Sequence, residues 1–148
     1  MDSTSLSAPD ASSKLCSTAI IKSKPSELAC FQEHLVKMLE RHRFRPEDRF
    51  AIRLAVREAL VNAANHGNKR SSSKKIRIAF SLTEKGFRIR IRDEGEGFDP
   101  GGVLDSTLAE DLTKSTGRGL LLMRQFMNDV RFSRKGNAVS MARCRTGA

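Results

Sequence analysis

The sequence predicts an α/β chain of the α+β type: a two-layer sandwich with a mostly antiparallel sheet of about five strands and three helices on one face. Three observations predict it. Apolar residues alternate with polar ones in paired runs joined by short turns. Elsewhere they recur at three- and four-residue steps, the period of a helix with one buried side. The resulting order, β-α-α-β-β-loop-α-β-β, sets strands beside their chain neighbours. A length of 148 residues suits one domain and is long enough to bury a core.

Each element has its own signal. Residues 1 to about 14, MDSTSLSAPDASSK, have almost nothing to bury and are expected to form a disordered tail, leaving 15–148 as a single domain. Cys16–Lys22 (CSTAIIK) is expected as the first strand. Pro25 opens a helix whose apolar residues are Leu28, Phe31, Leu35, Met38 and Leu39. Pro46 opens the next, with Glu47 and Asp48 suited to the positive end of its dipole. That helix is expected to run to about His66, where Gly67 supplies a left-handed stop. In KKIRIAFSL, Ile76, Ile78, Phe80 and Leu82 share a face; in GFRIRIRDEG, Phe87, Ile89 and Ile91 point in, and Arg88, Arg90 and Arg92 point out. Gly95 to about Thr116 keeps no period, and a loop of that length is expected to be a functional lid. From Gly119, LLLMRQFM reads as a buried helix, and a hairpin around Lys135-Gly136-Asn137 ends the fold.

Composition narrows the classes. Cys16, Cys30 and Cys144 form no CxxC or Cys/His pattern, which argues against a disulfide scaffold and for a reducing, cytoplasmic setting. No apolar run approaches a membrane span, and the first residues lack the regions of a signal peptide. The formal charge of +10 suits an anionic partner (nucleic acid, nucleotide phosphates or an acidic protein) and equally suits a solvated surface, since the basic residues form no long block.

Three places set polar residues where apolar ones belong. On the second helix Glu58, Asn62 and His66 follow at four-residue steps with Asn65 beside them, continuing a stripe that begins apolar at Ala51 and Leu54. Either this is a wet outer face or Glu58 lines a cavity, where its carboxylate serves as a base and the Asn62 amide as a hard ligand for Mg²⁺. Asp93 is in phase with Ile89 and Ile91, and the glycines of DEGEG permit both an ordinary turn and the close approach of a ligand whose amino group Asp93 accepts. Thr116-Gly117-Arg118-Gly119, followed by Leu120, heads the apolar helix; it is either a packing junction or a phosphate cradle of free N–H groups.

The order of these motifs resembles the GHKL ATPase superfamily, over roughly residues 15–145. EALVNAANHG is similar to its N box, DEGEGFDP to its G1 box and TGRGLLLMRQFMNDV to its G2 region. Within it the chain looks most like the stand-alone serine-protein kinases that act as anti-sigma factors in bacterial partner switching. The resemblance implies a Bergerat (HATPase) fold binding ATP and Mg²⁺. It gives Asp93 the adenine amino group, Gly95 and Gly97 the passage of the base, and Asn62 the metal. Asn65, His66 and Thr116 through Leu120 complete the nucleotide site, with Ser140 on a late strand near the adenine. Glu58 becomes the catalytic base. The implied partners are a sigma factor or equivalent client and a small anti-anti-sigma antagonist, with a homodimer expected and neither membrane nor nucleic acid. The lid, GGVLDSTLAEDLTKST with its acidic Glu110-Asp111, matches no subgroup.

Two other readings compete. A detached histidine-kinase catalytic domain would need an acceptor histidine, and neither His34 nor His42 sits in an acceptor motif. A non-catalytic nucleotide-dependent or basic binding module is the third, against which stand an intact Glu58 and Asn62 and the lack of a helix-turn-helix or aromatic strand motif.

Overall fold

A computed structural model describes residues 14–95 and 115–147. Residues 1–13 of the tail and 96–114 of the lid, Gly97 among them, lie outside the described residues. The order is β1 (Leu15–Lys22), α1 (Pro25–Arg41), α2 (Pro46–Asn62) with a π-helical turn (Ala63–Gly67), β2 (Lys75–Leu82), β3 (Gly86–Arg92), α3 (Ser115–Phe126), β4 (Asp129–Phe132) and β5 (Ala138–Cys144). The strands make one antiparallel sheet in the order β1-β2-β3-β5-β4. The expected α+β sandwich of five strands and three helices is the one found.

Alternation decides the layers. On β2, Ile76, Ile78, Phe80 and Leu82 are buried; on β3, Phe87, Ile89 and Ile91; on β5, Val139 and Met141. These inner residues form one core with Phe31, Leu35 and Leu39 of α1, Ile52, Val56 and Leu60 of α2, and Leu120 and Met123 of α3. A fully buried Leu or Ile in this layer stabilises the fold by roughly 1.5–3 kcal/mol. Among the described residues no helix covers the other face of the sheet.

Helix ends follow local chemistry. Proline stands at the start of α1 and α2, where its missing N–H costs nothing. Beyond α1, Arg43 adopts φ 62°, its N–H bonds the Glu40 carbonyl, and the Phe44 N–H bonds the Leu39 carbonyl. This closing motif usually takes glycine at its left-handed position. It turns Phe44 into the core.

Two boundaries differ from expectation. Gly67 is not a left-handed stop: the chain leaves the π turn through Lys69 and Arg70, at φ 52° and 62°. The helix widens first, the Asn68 N–H reaching the Ala63 carbonyl at 2.7 Å. The last helix begins at Ser115, so Gly119 is its fifth residue and not its head. The free N–H groups of a helix belong to its first four residues, so any anion cradle here falls on residues 115–118.

Asp48 anchors the far end of α2. Its buried carboxylate accepts from Arg143 Nε at 2.9 Å and from the Thr146 N–H at 2.9 Å, with the Thr146 hydroxyl also donating. Arg143 Nη1 donates to the Phe126 carbonyl at 2.6 Å, tying in the end of α3. Arg145 lies 3.7 Å above the Phe44 ring and donates to the carbonyls of His42 and Thr83.

Candidate functional site

The site gathers where α2, its π turn, β3 and α3 meet. Glu58 and Asn62 stand one turn apart on α2. The Glu58 side chain is 16% exposed; its Oε2 accepts from Arg57 Nη1 at 3.1 Å. Its Oε1 faces α3, where a Cβ at Gly119 would lie 3.0 Å from it and 3.3 Å from Asn62 Nδ2. Glycine at position 119 thus lets α3 approach the pair of polar side chains.

Asp93 follows β3. Its N–H donates to the Asn137 carbonyl at 2.9 Å, and its Oδ1 accepts from the Gly95 N–H at 2.7 Å. Burial pushes its carboxyl above the usual carboxylate range, against the Gly95 N–H and the charges of Lys74 and Lys135, which pull it down. The carboxylate rests against Gly67, where a Cβ would fall 2.2 Å from Asp93 Oδ2. A Cβ at Gly95 would in turn fall 1.9 Å from the Gly67 carbonyl oxygen. Both glycines are there because backbone and carboxylate approach without room for a side chain.

A cavity of about 30 Å³ lies here, lined by Asn62, Gly67 and Asp93 together with apolar Ile91, Met123 and Val139. A half-buried carboxylate at the edge of an apolar recess that an amide also lines is an arrangement suited to a polar, amino-bearing ligand. Among the described residues no hydrogen bond is made by Asp93 Oδ2. Also among them, no three His, Cys, Asp or Glu side chains converge as a metal site.

The structure brings Glu58, Asn62, Asp93, Gly95 and Gly119 together, and separates others. Ser140 does not join Asp93: its hydroxyl accepts from Arg90 Nη1 at 3.2 Å on the open face of the sheet, while its neighbours Val139 and Met141 point inward. Asn65 lines a different groove, against α1, with Arg57 and Val61. The π turn is the reason, because its wider winding carries Asn65 away from the Glu58–Asn62 stripe. His66 and Arg118 are exposed, and neither lines the cavity. Leu120 is a core residue. Thr116 and Gly117 lie in the first turn of α3.

One residue went unread. Asn68, 0% exposed, accepts from the Glu94 N–H at 2.7 Å and donates to Ser23 Oγ at 2.7 Å and the Lys75 carbonyl at 3.0 Å. It fixes the turn after Asp93 to the end of α2. Its only signal was a polar residue directly after the helix glycine. Asn137 plays the same part from the β4–β5 hairpin.

The histidine kinase-like ATPase domain family matches residues 21–143. The serine-protein kinase RsbW of Oceanobacillus iheyensis is 28% identical over 127 residues, which cover 82% of this chain and 80% of that protein. The serine/threonine-protein kinase BtrW of Bordetella bronchiseptica is 31% identical over 97 residues, 64% of this chain and 68% of its own length. The anti-sigma F factor of Priestia megaterium is 36% identical over 84 residues, 54% of this chain and 56% of that protein. A crystal structure of the RsbU and RsbW domains of Rv1364c from Mycobacterium tuberculosis shares the fold, with TM-score 0.61 at 15% identity, over 88% of this chain and 31% of that one.

Proposed function

This chain belongs to the histidine kinase-like ATPase domain family, and from there we propose that it is an ATP-dependent serine-protein kinase acting as an anti-sigma factor or similar partner-switching regulator. Its substrate is a serine on a small antagonist protein. The names of its relatives support the reaction class. The observation that carries the reading is that Asn62, one turn beyond Glu58 on α2, lines the same recess as Asp93 beyond the end of β3.

When bound, ATP supplies the phosphoryl group and Mg²⁺ neutralises its charge. The chain does the positioning. Asp93 offers Oδ2 to the amino group of the adenine, since Oδ1 is engaged by Gly95. Asn62 would hold the metal through its amide oxygen. Arg57 occupies one Glu58 oxygen and leaves Oε1 turned toward α3, placed to take the proton of a substrate serine hydroxyl. A positioned base of this kind contributes about 10²–10⁴-fold in rate.

A cavity of about 30 Å³ has room for a water and not for a purine. The described residues thus form one wall of the nucleotide site we propose, with Gly119 of α3 facing Glu58 and Asn62 across it.

Calorimetric titration of Mg²⁺-ATP and Mg²⁺-ADP, with Asp93→Asn alongside, tests the site. Micromolar binding in the wild type and its loss in the variant is the expected result. Absence of binding to the wild type sinks the proposal. Acid-stable phosphoserine on the antagonist, against acid-labile phosphohistidine, then separates a serine kinase from a histidine kinase.

A further inference from the structure

The open face of the sheet is an arginine field. Pairing register puts Arg77 of β2 directly opposite Arg92 of β3, and Lys22 of β1 opposite Lys75 of β2. Arg88 and Arg90 continue the same face of β3, and Arg131 of β4 stands beyond Ser140 in the row of Arg90. All of these side chains are exposed. Asp129 alone answers them from the strands, and it is paired with Arg131 at 2.9 Å. More than half of the chain's formal net charge of +10 therefore lies on one face.

Like charges directly opposite on a sheet repel and weaken the pairing. Among the described residues no carboxylate pairs with Arg77, Arg88 or Arg92. The residues between them are small: Thr18 faces Ala79, which faces Arg90, and Ala142 faces Arg88. They leave a recess of about 490 Å³ over the middle strands. Ile20, 57% exposed, adds an apolar contact beside Arg77 at one side.

We propose that this open sheet face docks an acidic protein segment, one carrying several Asp or Glu side chains and an apolar residue for Ile20. The planar guanidinium fork accepts carboxylates two oxygens at a time, which arginine does and lysine does not. A second copy of this chain is a poor occupant, because a two-fold contact would set these arginines against themselves. Single-stranded nucleic acid is also poor, since its sheet readers stack bases on aromatic side chains and this face has none. The face lies on the far side of the sheet from Asp93 and Glu58, so the partner held there is free to differ from the phosphorylated substrate.

The test uses the full chain and a fluorescent glutamate-rich peptide with leucines at helical spacing, at low and at raised salt. Three proteins are compared: the wild type, a sheet-face triple variant (Arg77→Ser, Arg90→Ser, Arg92→Ser) and a helix-side triple variant (Lys37→Ser, Arg41→Ser, Arg53→Ser). The expected result is salt-sensitive binding weakened about tenfold or more by the sheet-face changes and within about twofold of wild type for the others. The sheet-face variant is further expected to melt no lower than wild type, since a repulsive cross-strand pair is gone. Equal loss in both variants reduces the effect to net charge and overturns the proposal, as does a wild type that binds no peptide. Tighter binding of a DNA duplex than of the peptide, lost in the sheet-face variant, overturns it in favour of a nucleic-acid surface. A wild-type dimer broken by the sheet-face changes overturns it in favour of self-association.

Discussion

Gly67 touches Asp93 so closely that a single methyl would have to displace the carboxylate. Gly67→Ala is expected to cost about 1–3 kcal/mol of stability, as overpacked sites do, and to weaken Mg²⁺-ATP binding about tenfold or more; chemical denaturation and calorimetry measure the two. Asp48 gives a second prediction. Burial alone would raise its pKa, but hydrogen bonds from Thr146 and then Arg143, with the Arg143 charge, more than reverse this and hold it below 3.8. A lowered folded pKa means that its contribution is complete above pH 3.8 and is lost as pH falls through the folded value. Asp48→Ala, which leaves Arg143 unpaired, is expected to cost about 3–5 kcal/mol at neutral pH. The variant should also show less acid sensitivity than wild type in urea titrations below that pH. The placement of Glu58, Asn62 and Asp93 was legible because each interrupts an apolar phase. Ser140 was misplaced although Val139 and Met141 on either side already set its parity, and parity is the stronger signal in a strand.

Among elements, the contact of α3 with α2 carries most of the mechanism. A Cβ at Gly119 would meet Glu58 Oε1 at 3.0 Å and Asn62 Nδ2 at 3.3 Å, both at the ends of flexible side chains. Gly119→Ala is therefore expected to lower the melting temperature by only a few degrees, about what 1 kcal/mol produces in a domain of this size. Phosphate transfer should fall about tenfold or more, because Glu58 Oε1 must move; a melt and a phosphoserine assay on one preparation separate the effects. Strands and helices were readable because each buries one side, and a buried side leaves a period. The π turn left none. Its winding depends on the Asn68–Ala63 and Arg70–Ala64 bonds, which no spacing of side chains announces. Asn65 lines the groove against α1 for that reason, and the role of Asn68 was hidden behind the same irregularity.

At the scale of the molecule, two titrating groups pull stability in the same direction on acidification. His42 is buried, and burial first, then the charges of Arg145 and Arg41, hold its pKa below 6.5. Below pH 6.5 the unfolded chain takes up a proton that folded His42 refuses, so stability falls as pH drops toward the folded value. His42→Gln is expected to flatten this part of the pH–stability curve and to leave the loss below pH 3.8, which belongs to Asp48, in place.

The Asp48 anchor also bears on how the chain comes to be folded during synthesis. Arg143 and Thr146 are made 95 and 98 residues after the carboxylate they satisfy. Strand β5, which carries Arg143, enters between β3 and β4 and not at an edge. A growing chain on the ribosome therefore holds α2 with its first-turn acid in water, beside a sheet whose β3 edge is still unpaired. Settling the helix layer early would strand a buried charge. The Asp48 anchor thus ties closure of the helix layer on the sheet to the last residues of the domain, and until they are in place the β3 edge is open to pairing with other chains.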